Sequence, residues 1–344
     1  MKKYLLPNNK NVYKANLHCH STLSDGKMAP EELAKAYYEH GYSVLSITDH
    51  EFFADHSDLN REDFLMLTGY ELQIVDPVRP RRQGQKCAHM CIISKDPHKM
   101  KHFLFNPDAF DLRRLCHVPE KIPEMEYVGD ILTEKYYDIE LINEAARLAN
   151  ENGMLIAYNH PTWSLEGEDT YTKLKGFYAM EIYNNDCFYG LGLDEYNPRV
   201  YDSMLRSGQR LGCIATDDAH TVYPLGHPRC DLFGGWTNIY AEELTYENII
   251  KALENGDYYA SAGPTIKECY YEDGKVYVKT DEAQSITLST GGRRSECERA
   301  AYGSSLSEGV FHVKPEDGYI RITVKDCYGR PANTRGYFLD EFFS

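Results

Sequence analysis

Six histidines, two aspartates and one glutamate recur at intervals along this 344-residue chain. His18-Cys19-His20 opens the series, and Asp25 follows in Leu23-Ser24-Asp25-Gly26-Lys27. His50 stands in Ser46-Ile47-Thr48-Asp49-His50, Glu71 in Thr68-Gly69-Tyr70-Glu71 and His89 in Cys87-Ala88-His89-Met90. His160 lies in Tyr158-Asn159-His160-Pro161, and Asp218 and His220 close the set in Ala215-Thr216-Asp217-Asp218-Ala219-His220. Imidazole and carboxylate together suit borderline divalent cations such as Zn, Fe or Mn. None of the ten cysteines forms a CxxC pair, so a zinc ribbon or a thioredoxin-like motif is not supported. A lone histidine at a strand end is more often a satisfied polar side chain than a ligand. Recurrence over successive units is what predicts a multinuclear metal site here.

These residues need elements to hold them. Short apolar runs read as strands over 15–19, 44–47, 64–73, 87–94, 154–158, 179–183 and 211–215. Amphipathic spacing predicts helices over 30–40, 134–150 and 246–255, with Pro30 in a first turn and Gly41, Gly153 and Gly256 after the ends. Strand–helix alternation with about seven units suggests an α/β barrel, whose sites gather at the C-terminal strand ends. On a strand, side chains two apart share a face, so His18 and His20 can reach one point while Cys19 faces away. Beyond about residue 264 the runs become short and alternating, as in 275–280, 285–288, 310–313 and 319–324. Two domains are expected: 1–264, with an irregular Pro-containing insertion over 95–135, and 265–344, a small antiparallel β-domain.

His18-x-His20, Ser24-Asp25-Gly26, Thr48-Asp49-His50, Glu71, His89, Asn159-His160-Pro161 and Asp218-Ala219-His220 resemble the ordered motifs of the PHP (polymerase and histidinol phosphatase) superfamily. The run from Ala252 to Pro264 resembles a further signature of its stand-alone branch with a small β-domain. The resemblance implies a distorted (β/α)7 TIM-like barrel holding two or three divalent ions. It implies one ion at His18, His20, Glu71 and Asp218, a second at Asp25, His50 and His220, and a third at Glu71, His89 and His160. His18, His20, Asp25, His50, Glu71 and His220 would be the catalytic set. Attack of a metal-activated hydroxide on a phosphoester, with no covalent enzyme intermediate, is the expected chemistry. Asp217 departs from the family pattern, which often has a small residue there, and adds a charge beside the site.

The chain carries a net charge of −16. That argues against long duplex nucleic acid and against polybasic membrane binding. No signal-length or membrane-length apolar run is present, and the cysteines suit reduced core thiols, so a cytoplasmic location is expected. Phosphate recognition needs cations, and Arg81 and Arg82 in a basic loop, Arg113 and Arg114, and Arg229 after Asp218-Ala219-His220 are the candidates. The partner expected is a small phosphorylated metabolite or short nucleotide. A metal-dependent hydrolase of a non-phosphate ester or amide, a short-oligonucleotide exonuclease and a sensor with a binding β-domain are the rivals. Oligomeric state is not legible in the sequence.

Overall fold

The computed structural model describes residues 2–75, 85–104, 117, 125–129 and 137–341. Arg81, Arg82, Arg113 and Arg114 lie outside the described residues, as does much of the expected insertion. The fold is mixed α/β and mostly sheet. Seven strands lie side by side in chain order: β1 (Asn11–Asn16), β2 (Val44–Ile47), β3 (Leu65–Val75), β4 (Cys87–Ser94), β5 (Met154–Tyr158), β6 (Ala179–Asn184) and β7 (Gly212–Thr216). They are apolar and almost wholly buried from β2 to β7, as strands covered on both faces must be.

The pairing differs from a uniform parallel repeat. β1–β2–β3 and β5–β6–β7 are parallel, but β4 runs antiparallel to both β3 and β5. Its start therefore lies at the same end as the finish of its neighbours. β1 stops at Asn16, short of the expected 15–19, and the chain continues as a single parallel bridge, Cys19 to Ala219. Two bonds flank it, Asp218 N to His18 O at 2.8 Å and His20 N to Ala219 O at 2.9 Å. They join the two ends of the seven-strand series at the mouth; a continuous β7–β1 ladder is absent from the described residues.

Local chemistry sets the helices. In α1 (Pro30–Glu39), Pro30 starts the helix and the Glu32 carboxylate accepts from Ala29 N at 3.0 Å. In α2 (Ile139–Glu151), Asp138 accepts from Glu140 N, and Ile142, Ala145, Ala146 and Ala149 face the core. α3 (Pro198–Arg206) is a helix that hydrophobic spacing alone did not single out. α4 (Tyr246–Asn255) is capped by Thr245 and closed by Gly256, whose φ of 72° is the left-handed position glycine tolerates.

From β1 the sheet continues through Trp236–Ala241, Tyr258–Ser261, Pro331–Thr334 and Tyr319–Lys325 to Ser285–Thr290 and Ser295–Arg299, antiparallel throughout. A second sheet of Lys3–Tyr4, Ile266–Glu272, Lys275–Ala283 and Leu306–His312 lies against it. Ile266, Val276, Val278 and Phe311 pack between them with Ile286, Ile320, Ile322 and Val324. No helix among the described residues is long and apolar enough to cross a membrane.

Candidate metal centre

Each ligand candidate is delivered to the mouth by a different local device. His18 and His20 ride on the extension of β1, and Cys19 between them points into the core with Leu33, Tyr37 and Ile47. Asp25 sits on a loop held by buried Asp49, which accepts from Ser21 N at 2.8 Å and from the Ser21 and Ser24 hydroxyls. Gly26 permits this loop to press on His20: a Cβ there would lie 2.2 Å from His20 O. His50 is registered against Glu71 by Glu51 N to Glu71 O at 2.8 Å and Glu71 N to Asp49 O at 3.1 Å. Glu71 lies within β3, which runs past it to Val75. His89 reaches the mouth because β4 is antiparallel, two residues into its strand and opposite Gln73.

The loops that follow are held in unusual backbone conformations. Glu51 (φ 58°), His160 (φ 20°), Asp218 (φ 52°) and Thr221 (φ 55°) all adopt positive φ without being glycine. Such conformations cost of order 1–3 kcal/mol each and persist only where surrounding contacts impose them. Four of the eight non-glycine cases in the described residues therefore flank this one mouth.

Glu71 is the hub. Its Oε1 lies 3.2 Å from His18 Nε2, 3.1 Å from His89 Nδ1 and 3.4 Å from His160 Nε2. Its Oε2 lies 3.0 Å from His50 Nδ1 and 3.5 Å from His20 Nε2. Asp218 Oδ1 is 3.1 Å from His18 Nε2 and 3.0 Å from His20 Nε2. Asp25 Oδ1 is 3.4 Å from His220 Nε2 and 3.7 Å from His50 Nε2. Four overlapping groups can each hold an ion: His20-Asp25-His50-His220, His18-His20-Asp218, His18-Glu71-His160 and His50-Glu71-His89. The structure thus brings all nine residues together. The expected trio Glu71, His89 and His160 is not among these groups: although both imidazoles face Glu71 Oε1, His160 groups with His18 and His89 with His50.

The donor set fits divalent cations on a second count. His20 Nδ1, His50 Nδ1, Asp25 Oδ1 and Glu71 Oε2 are buried without a hydrogen-bond partner. Buried polar atoms are almost always satisfied, so four orphans on one cluster fit a site for divalent cations. The groups shift one another strongly. Burial opposes ionisation of Glu71, but His89, His18 and His50 outweigh it and hold the carboxyl well below its usual range. Burial likewise disfavours charge on His18, yet Asp218 chiefly, with Glu71 and Glu181, raises its pKa well above the ordinary value. His50 goes the other way, down to about 3, through burial and then the neighbouring His20.

Further residues support these side chains, and Glu181, Asn184 and Asp231 among them are not singled out by the sequence. Glu181, wholly buried, meets His18 Nδ1 at 2.6 Å and accepts from His160 N at 3.0 Å. Its signal was a lone carboxylate within the apolar run Ala179-Met180-Glu181-Ile182. Asn159 Nδ2 donates to Glu71 Oε1 at 2.7 Å, and Asn184 Nδ2 to Asp218 Oδ2 at 3.0 Å. Asp231 accepts from His220 N and Thr221 N and fixes the last ligand loop. Asp217, expected to charge the site, serves a different role. Its carboxylate accepts from Phe233 N, Gly234 N, Gly235 N and the Tyr37 hydroxyl, at 2.7–2.8 Å.

The cluster forms one wall of a cavity of about 390 Å³, with Gln73, Trp163, Asp186 and Leu191 on the others. Arg229 is the only lysine or arginine among the described residues lining it. Three of its nitrogens already bond within the rim, Nε (2.9 Å) and Nη2 to Gly190 O and Nη1 to the Tyr223 hydroxyl at 2.6 Å. A larger cavity of about 750 Å³, lined by Phe52, Phe53, His56 and His102, contains none of the nine ligand candidates.

No family model matches the chain. A 63-residue stretch is 38% identical to a 5′-3′ exoribonuclease of Haemophilus influenzae, covering 17% of this chain and 23% of that protein. The match thus spans less than a quarter of the curated relative's length. Among solved structures, the chain is similar to a two-domain protein of Bacteroides vulgatus containing a predicted PHP-like metal-dependent phosphoesterase. That alignment covers 94% of both chains at 17% identity and a TM-score of 0.46. A candidate metal-dependent phosphoesterase of Bifidobacterium adolescentis aligns over 62% of this chain and 90% of that one, at 15% identity and a TM-score of 0.39.

Proposed function

We propose that this chain is a metal-dependent phosphoesterase of the PHP type, acting on a small phosphorylated metabolite or a short nucleotide. The observation that carries it is the convergence of His18, His20, Asp25, His50, Glu71, His89, His160, Asp218 and His220 into four overlapping ion-ready groups. Together with the ordered motifs that resemble the PHP superfamily, this supports residues 1–264 as a distorted (β/α)7 barrel and 265–344 as a small β-domain. The nine residues would hold two or three divalent ions. Bound there, such ions supply Lewis acidity towards phosphoryl oxygens and a lowered pKa for water.

The protein's own groups do the rest. Glu71, shared between two groups, and Asp218, which faces both His18 and His20, hold the ligands close together. Asp25 and His220 form the more open side, their side chains being 29% and 23% exposed against 1% for Glu71, so substrate enters there. Arg229, at the rim, faces the incoming oxyanion with the guanidinium protons not spent on Gly190 and Tyr223. Trp163, its ring 5.0 Å from those of His89 and His160, walls the far side and excludes water.

A second reading, a short-oligonucleotide exonuclease, is favoured by the stretch shared with the Haemophilus influenzae exoribonuclease. The test is a substrate panel with added Mn²⁺: p-nitrophenyl phosphate, bis-p-nitrophenyl phosphate, p-nitrophenyl acetate, nucleoside bisphosphates and a short oligoribonucleotide. Cleavage of a phosphoester but not of the acetate is expected. Acetate cleavage without phosphoester cleavage overturns the proposal, and preference for the oligonucleotide selects the second reading.

A further inference from the structure

We propose that Glu181 is a positioning residue that sets the proton of His18, so that His18 presents an unprotonated Nε2 to a metal ion. The assignment rests on the metal-binding reading above. Glu181 is completely buried and receives four contacts. Oε1 meets His18 Nδ1 at 2.6 Å and the Thr216 hydroxyl at 2.6 Å; Oε2 accepts from His160 N and from Asn184 Nδ2, both at 3.0 Å. A carboxylate has no proton to give and saturates with four donors, so the His18 end of its contact is an N–H. The opposite ring atom, His18 Nε2, faces Glu71 Oε1 at 3.2 Å, Asp218 Oδ1 at 3.1 Å and His20 Nε2 at 3.2 Å. With the proton fixed on Nδ1, the neutral ring has its lone pair in the ligand cluster, where it is needed. Ligating histidines are commonly oriented by such a partner, whose loss costs 10–100-fold in metal affinity.

The carboxamide substitution discriminates this role from packing. In Glu181→Gln, the amide nitrogen must replace one of the two oxygens. On the Oε2 side it would meet the His160 backbone N–H, a donor that cannot change role. On the Oε1 side it meets an imidazole and a hydroxyl, both able to accept. The amide therefore turns its nitrogen to His18 and moves the ring proton to Nε2, the atom that must ligate. Thr216→Val removes a different bond to the same carboxylate oxygen and leaves the ring proton alone. An ion at His20, Asp25, His50 and His220 would not use His18 and serves as an internal control.

Zn²⁺ affinity is measured by chelator competition for the full-length wild type, Glu181→Gln and Thr216→Val. Histidine ¹⁵N spectra of the zinc-loaded wild type locate the His18 proton, its signals being identified by their loss in His18→Asn. The expected result is a 10–100-fold weaker ion at His18 in Glu181→Gln, with the control ion retained. Thr216→Val should stay within about threefold, and wild-type His18 should carry its proton on Nδ1. Equal affinity in Glu181→Gln, or an equal loss in Thr216→Val, overturns the proposal. So does a bare Nδ1 in the wild type, a result that stands even if Glu181→Gln fails to fold. A wild type that takes up no Zn²⁺, Mn²⁺ or Fe²⁺ overturns the metal reading itself, and this assignment with it.

Discussion

The seven-strand half and the C-terminal sheets treat buried polarity in opposite ways. In the C-terminal sheets, buried charge is paired. Arg321, 4% exposed, grips Asp202 of α3 through two bonds of 2.8 Å, and Tyr319 donates to the same carboxylate. Asp317 is buried against Arg294 and accepts from Lys314 N. At the strand mouth the reverse holds, with four ligand atoms orphaned within one cluster. Among the described residues, every buried side-chain atom without a partner lies at or before Asp231, and none lies in the C-terminal sheets. Four of the nine such atoms among the described residues belong to ligand candidates at the mouth, a donor set that fits divalent cations.

Substitutions can break or sharpen that contrast. Glu71→Gln strikes the hub that meets five imidazoles. It should cost ~10³-fold or more in phosphoesterase activity, as removal of one member of a unit does, and lower the bound-metal count by elemental analysis. Retention of both would dissolve the contrast. Asp202→Ala strikes the other region by leaving Arg321 buried and unpaired. It should destabilise by about 3–5 kcal/mol in urea unfolding while the metal count of the folded protein stays that of the wild type. Loss of metal in step with stability would show the two regions to be one unit.

Smaller effects test the margins. Asp217→Asn turns an amide nitrogen towards backbone N–H groups and should cost about 2 kcal/mol, with activity retained below the melting transition. Glu166, held by the hydroxyls of Tyr137 and Tyr158, has its pKa raised by burial to about 7 from 4.5. A raised carboxyl pKa means the folded state keeps a proton that the unfolded chain releases. Stability is thus fully present below about pH 4.5 and is lost as pH rises towards 7. Glu166→Gln, which cannot ionise, should be level with the wild type at pH 4.5 and about 3 kcal/mol more stable at pH 8. An unchanged difference across that range would remove burial as the cause.

The legible part of this molecule was its ligand candidates and its strands. His18, His50, Glu71, His160 and Asp218 could be placed because each follows or lies in an apolar run whose type is clear from period alone. The alternating runs after residue 264 likewise became Lys275–Ala283, Ser285–Thr290, Leu306–His312 and Tyr319–Lys325. Direction was not legible. Nothing in Cys87–Ser94 distinguishes a parallel from an antiparallel strand, and yet that choice decides whether His89 reaches the mouth. The helper carboxylates were also hidden, because Glu181, Asp49 and Asp231 act through backbone and side-chain donors brought from distant elements. Asp217 was misplaced for the same reason: adjacent to Asp218 in sequence, it serves the turn at Phe233-Gly234-Gly235. α3 was missed because Pro198-Arg199-Val200-Tyr201 offers few apolar residues, and its burial depends on Tyr201, Met204 and Leu205.

The most direct test of the account is anomalous scattering from crystals grown with Mn²⁺ or Zn²⁺ and soaked with phosphate. Two or three ions are expected, each among the four groups built on His18, His20, Asp25, His50, Glu71, His89, His160, Asp218 and His220, with phosphate on the Asp25–His220 side near Arg229. Saturating metal with no ion at Glu71 or Asp218 would contradict it.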